Sequence, residues 1–126
     1  MGQLLNTSPY FVVNEVLVTA RWYRDSLGFQ FSTWGDPVDF AVVFRDGVEI
    51  MLRGGKAPFE PRSNRRADPL ALDAYVRVGD VDGLAAELTG RGVALTSAPV
   101  TRFYKMRELE VTDPNGYVIC FAQDMT

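Results

Sequence analysis

A chain of 126 residues, 47% of them hydrophobic and 23% charged, has one ordinary domain's length and enough apolar material for a packed core, with no tract whose composition predicts disorder. Its formal charge of −3 argues against a nucleic-acid partner, whose phosphates need a basic footprint, and its longest apolar runs, such as Phe40 to Phe44, are far too short to span a bilayer. The single cysteine, Cys120, has no partner for an internal disulfide, and Met1-Gly2-Gln3-Leu4-Leu5-Asn6 lacks a basic region followed by a long apolar stretch; both predict a reducing, cytoplasmic setting.

From Ser8 the chain reads as a strand over Tyr10 to Val13 and a helix over Val16 to Leu27. Val16, Ala20, Tyr23 and Leu27 recur at i, i+4, i+7 and i+11, which is one apolar stripe of a 3.6-residue period. Gly28 stands where a left-handed residue would end that helix, and strands follow that close on a tight turn at Asp46-Gly47. Gly54 to Leu70 holds a Gly-Gly pair, three prolines and the cluster Arg62, Arg65 and Arg66; it reads as a linker, with the arginines as a solvated face or as salt-bridge donors. From Asp73 the first order recurs: a strand over Tyr75 to Val78, the N-cap Asp80, a helix over Val81 to Arg91 with Val81, Ala85 and Leu88 on one stripe, Gly92, and strands closing on Asn115-Gly116. The second set lies about 65 residues after the first. One βαβββ unit is therefore present twice, which predicts an α+β domain over residues 1–126 with a first module at 8–53, a linker at 54–70 and a second module at 71–123.

Taking Asp46-Gly47 as a two-residue hairpin loop sets Arg45 against Val48, Phe44 against Glu49, Val43 against Ile50 and Val42 against Met51. Side chains alternate along each strand, so Ala41, Val43, Ile50 and Leu52 fall on the face that a helix would cover, and Phe40, Val42, Phe44, Glu49, Met51 and Arg53 on the other. The same alternation separates Leu109, Val111, Ile119 and Phe121 from Met106, Glu108, Glu110, Val118 and Cys120. Asp73, Tyr75 and Arg77 alternate with Ala74, Val76 and Val78, as Ser8, Tyr10 and Val12 do with Pro9, Phe11 and Val13. The second face so defined mixes aromatic and acidic residues, an unusual lining for a core.

Three stretches carry a resemblance. Arg21-Trp22-Tyr23-Arg24-Asp25-Ser26-Leu27-Gly28-Phe29 is similar to the pattern "FYrdvLGF", Asp113-Pro114-Asn115-Gly116-Tyr117 to "DPdGn", and Val78-Gly79-Asp80-Val81-Asp82 to "VdDvd". In this order, over about Ser8 to Gln123, the chain resembles the vicinal oxygen chelate superfamily, which includes glyoxalase I, extradiol dioxygenases, fosfomycin-resistance enzymes and bleomycin-resistance proteins. The resemblance implies two tandem modules forming a curved mixed sheet around a concave ligand cleft, in a homodimer whose clefts draw on both chains, with modules exchanged between chains as one form of it. It also implies four metal-ligand positions, which fall here at Ser8, Met51, Asp73 and Cys120. With no histidine in the chain, a hydroxyl, a thioether, one carboxylate and one thiol do not make a divalent-ion site, so neither a metal nor another cofactor is expected.

Loss of those ligands is typical of the bleomycin-resistance type, which implies a metal-independent protein that sequesters a cationic, aromatic antibiotic or metabolite. On that reading Trp34, Phe40, Phe44, Tyr75 and Tyr104 would stack on the ligand, Glu49, Asp73, Glu108 and Glu110 would balance its charge, and Met51 and Cys120 would line the cleft. Against it stands a self-neutralised cleft, in which Arg53, Arg77 and Arg107 pair with those carboxylates. The alternative function is a lyase, isomerase or hydrolase with Asp73 or Glu108 as base, or the Tyr104 hydroxyl as acid; a third is an interaction or carrier module.

Overall fold

Alternating apolar residues in the strands and one apolar stripe on each helix put most of the buried aliphatic side chains on one side of two sheets. The structure is a computed structural model and describes residues 1–56 and 59–126; Ala57 and Pro58, inside the expected linker, lie outside the described residues. The order is β1 (Tyr10–Val13), α1 (Val16–Leu27), β2 (Gln30–Trp34), β3 (Phe40–Arg45) and β4 (Val48–Gly54), then β5 (Ala74–Arg77), α2 (Val81–Gly90), β6 (Ser97–Thr101), β7 (Met106–Thr112) and β8 (Val118–Asp124). Each βαβββ module has its own four-stranded mixed sheet, ordered β1-β4-β3-β2 in the first and β5-β8-β7-β6 in the second. In both, the first strand runs parallel to the last and the remaining pairs are antiparallel.

The β3–β4 hairpin has the register that its turn predicts, Arg45 to Val48 through Val42 to Met51, because Asp46 and Gly47 both adopt positive φ (51° and 82°), the twist a two-residue hairpin needs. Gly28 (φ 72°) ends α1 in the left-handed conformation, its N–H bonding back to the Arg24 carbonyl. Asp80 caps α2 by accepting the Gly83 N–H at 3.0 Å. The helix stops one residue before the expected Arg91, which is its C-cap, and Gly92 supplies the positive φ (86°) beyond it.

Val13, Val16, Ala20, Tyr23, Leu27, Val43, Ile50 and Leu52 from the first module and Val81, Leu88, Leu109, Val111 and Ile119 from the second form one buried cluster. The helix-covered faces thus share a core, and the opposite faces of both sheets look outward. Complete burial of a Leu or Ile contributes about 1.5–3 kcal/mol, so this face sets the register of every strand in it. The joint between modules is polar as well as apolar. The Phe11 and Tyr117 rings stack at 4.4 Å, the Tyr117 hydroxyl donates to the Val12 carbonyl at 2.6 Å, and the Asn115 amide donates to Thr19 Oγ1 at 3.0 Å. On the other side Arg45 of β3 grips Glu87 of α2 through two hydrogen bonds of 2.9 and 2.8 Å.

The expected linker contains an element that composition hid: a single 3-10 turn at Asn64–Arg66, started by Ser63, whose hydroxyl accepts the Arg65 N–H at 3.1 Å. Local side-chain capping of this kind leaves no hydrophobic period to read.

Candidate functional site

The outer faces carry every residue expected to meet a ligand, and the structure sorts them into three groups. At the seam between modules a groove of about 780 Å³ brings together Phe44 and Glu49 from the hairpin, Asp73 and Tyr75 from the start of the second module, and Ser8 from the arm before β1. Phe44 and Glu49 are direct cross-strand partners, so ring and carboxylate stand side by side. Tyr75 is 40% exposed there. Arg77, expected on this face, also lines the groove, as does Val48, which sequence reasoning did not assign; only the meeting of the two modules, a tertiary fact, places it there.

The second group lies on β7, β8 and the turn before β7. Glu108 is 4% exposed, and its Oε2 accepts hydrogen bonds from two phenols at once, Tyr75 at 2.8 Å and Tyr104 at 2.7 Å. Burial first, and the Glu108 carboxylate second, push the Tyr104 hydroxyl up to about 12 and the Tyr75 hydroxyl higher still. Arg102 reaches Glu108 Oε1 at 3.4 Å, while Glu110 takes a two-pronged grip from Arg65 at 2.9 and 3.1 Å. Cys120 is fully buried beneath them; desolvation and the neighbouring Glu108 and Glu110 push its thiol up to about 12, which removes thiolate chemistry at neutral pH.

The third group is on the first sheet. Trp34 and Phe40 are cross-strand partners with ring centroids 5.6 Å apart, and Tyr10 joins them at 6.1 Å. The face of Phe40 is already taken, since the Arg53 guanidinium lies 4.9 Å above it and donates to the Tyr10 hydroxyl at 3.0 Å. Met51 is half-buried between β1 and β3.

The outer carboxylates are neutralised, but not by the expected arginines. Arg107 has the parity of Leu109 and Val111, so it points to the helix side and pairs with Asp82 at 3.0 Å. Arg53 stacks instead of pairing, and Arg77 leans toward the Tyr75 ring at 5.9 Å. The work falls to Arg65 from the linker and Arg102 from the turn before β7. Asp73 is spent as well: one oxygen accepts the Asn64 N–H (2.7 Å), the other the Ser63 hydroxyl and the Val118 N–H (2.7 Å). Among the described residues Glu49 alone of the four expected carboxylates has no ion pair or side-chain hydrogen bond.

A metal does not fit the four family positions. Met51 and Ser8 are weak donors for a hard ion, Asp73 already accepts three hydrogen bonds from the chain, and Cys120 is a buried neutral thiol. Among the described residues no three His, Cys, Asp or Glu side chains converge to hold an ion.

Two βαβββ modules with outward acidic-aromatic faces define a class of fold, and the chain's sequence agrees with it. The sequence pattern of the Glyoxalase/Bleomycin resistance protein/Dioxygenase superfamily matches residues 7–121, and the chain belongs to that superfamily. Among solved structures it is similar to a glyoxalase-related enzyme from Clostridium phytofermentans, with TM-score 0.79, 17% identity and 98% of each chain covered. It is similar also to the bleomycin-binding protein of the bleomycin producer Streptomyces verticillus, complexed with copper(II)-bleomycin, with TM-score 0.72, 23% identity, and 96% of this chain and 97% of that one covered. A third, TioX from Micromonospora sp. ML1, has TM-score 0.68 and 17% identity over 94% of this chain and 95% of that one. No curated protein matches the sequence. Identities this low carry the fold alone. No helix among the described residues is long and apolar enough to cross a membrane.

Proposed function

We propose that this protein is a small-molecule binding protein that holds a flat, cationic ligand in the seam groove, the aromatic part of the ligand on Phe44 and Tyr75 and its charge on Glu49. The observation that carries the reading is Glu49, a carboxylate beside an aromatic ring in a groove of ligand size, left without an internal partner while its neighbours are neutralised. The fold-level similarity to a bleomycin-binding protein supports it by analogy. Both outer faces are open in one chain, and a second copy laid across them would close the cleft, which makes a homodimer the expected working form. A sequestering role, as in antibiotic resistance inside the cytoplasm, follows from binding without turnover.

The geometry favours the enzyme reading less, since the carboxylates of Asp73 and Glu108 that would serve as a base each already accept three hydrogen bonds, and Cys120 is buried and neutral. Calorimetric titration of metal-free bleomycin into the purified protein tests the proposal. One ligand bound per cleft at micromolar or tighter affinity supports it; no heat, with no change in thermal stability, removes this ligand class.

A further inference from the structure

Facing away from the helix, β3 and β4 present three cross-strand pairs in a row: Phe44 with Glu49, Val42 with Met51, and Phe40 with Arg53. The two end pairs are each a ring beside a charge, and the charges are opposite. Four residues of one strand separate Glu49 from Arg53, a span of about 13 Å. Val42 and Met51, both half-buried, form an apolar floor between them. The same face of the second sheet is closed: Cys120 and Ala122 are fully buried, and Glu108 and Glu110 are held by Arg102 and Arg65.

Arg53 is oriented without being neutralised. Its guanidinium lies 4.9 Å from the centre of the Phe40 ring, and its Nε donates to the Tyr10 hydroxyl at 3.0 Å, so stacking and one hydrogen bond hold its plane. Among the described residues neither of its Nη atoms has a hydrogen bond or an ion pair, and Asp39 acts on it only from a distance. Two free Nη groups are the fork that accommodates both oxygens of a carboxylate. Trp34, 52% exposed and 5.6 Å from Phe40, supplies an open ring next to that fork.

We propose that the outer face of the first sheet binds an elongated zwitterion, its cation on Glu49 beside Phe44, its carboxylate on the Arg53 fork beside Trp34, and an apolar spacer across Val42 and Met51. The cationic end rests on the function proposed above; the acidic end rests on the geometry of Arg53. An ion pair at each end fixes the direction and the length of the ligand, which a single charge does not do.

The probe is a biphenyl with an aminomethyl group at one para end and a carboxylate at the other, titrated by calorimetry alongside the same amine without the acid. The zwitterion is expected to bind with a Kd of about 1 mM or tighter, and about fivefold tighter than the amine. Arg53→Gln, at an exposed position, should erase that gain and leave the amine's affinity unchanged, whereas Glu49→Gln should weaken both compounds. In the one-ring pair, benzylamine and its para-carboxylate, the acid should bring no gain, because the charges cannot span the two ends. A gain that survives Arg53→Gln, or an equal gain in the one-ring pair, overturns the proposal. Amine binding with no gain from the acid overturns it too and leaves the cationic reading in place; failure of both amine and zwitterion to bind overturns both.

Discussion

The Tyr23 hydroxyl donates to Asp113 Oδ2 at 3.0 Å across 90 residues of chain, with Tyr23 wholly buried and Asp113 4% exposed. These two residues belong to the motifs that carry the family resemblance, one in α1 and one in the turn after β7, so the motifs are a contact between modules before they are anything else. Asp113 also accepts the N–H groups of Asn115 and Tyr117, which shapes the turn that inserts against β1. Burial pushes the Asp113 carboxyl above its ordinary range and the Tyr23 hydroxyl well above its own. Tyr23→Phe leaves the carboxylate short of one donor in a dry site, and we predict a loss of about 1–3 kcal/mol in stability. Urea unfolding should show a lower midpoint at unchanged slope; an unchanged midpoint would mean that the pair holds nothing together.

A second joint titrates. The hydrogen bonds from Arg45 hold the Glu87 carboxyl below its ordinary value of 4.5, and Arg91 adds to the effect. A carboxyl lowered in the folded state binds protons more weakly there than in the unfolded chain. Its contribution is therefore complete above pH 4.5 and disappears as pH falls through the folded value. We predict that Glu87→Gln melts below the parent protein at neutral pH and that the gap narrows as pH drops below that value. A gap that stays constant with pH would show that the charge of Glu87 does not contribute.

Much of this fold could be read in advance and much of the site could not, for different physical reasons. The stripe of α1 and the β3–β4 register follow from periods of 3.6 and 2 and from one turn, all local signals. Arg107 was legible too, since it shares parity with Leu109 and Val111 and so belongs on the helix side. Arg65 was not: it sits in a linker without a hydrophobic period, and only the grip of Asp73 on Ser63 and Asn64 turns it toward Glu110. Which carboxylate stays free is decided by such long-range pairings, and a strand pattern contains no record of them.

That difference separates Glu49 from Glu110 experimentally. Glu49→Gln removes an exposed charge with no internal partner, so stability should stay within about 0.5 kcal/mol while affinity for a cationic ligand such as bleomycin falls about tenfold. Glu110→Gln leaves Arg65 facing the sheet without its carboxylate, at a site where the two side chains are 26% and 13% exposed. Here stability should fall by about 1–3 kcal/mol, because the linker loses its anchor. Denaturation and titration of both variants in parallel check the pair of outcomes, and equal losses of stability would contradict the assignment of Glu49 to the ligand.

Cys120 gives the last prediction, because its position and its chemistry point in opposite directions. It occupies a strand position on the outer face of the second sheet, opposite Tyr75 and Glu110, its cross-strand partners. Yet the side chain is covered, and burial together with two nearby carboxylates pushes the thiol up to about 12. At pH 8 the native protein should therefore react with a thiol reagent such as dithiobisnitrobenzoate only as fast as it opens, and one thiol per chain should react at once in urea. Rapid labelling of the native state would mean that the face above Cys120 opens readily, and the hydrogen bonds of Tyr75 and Tyr104 to Glu108 could then not be the lid that the structure makes of them.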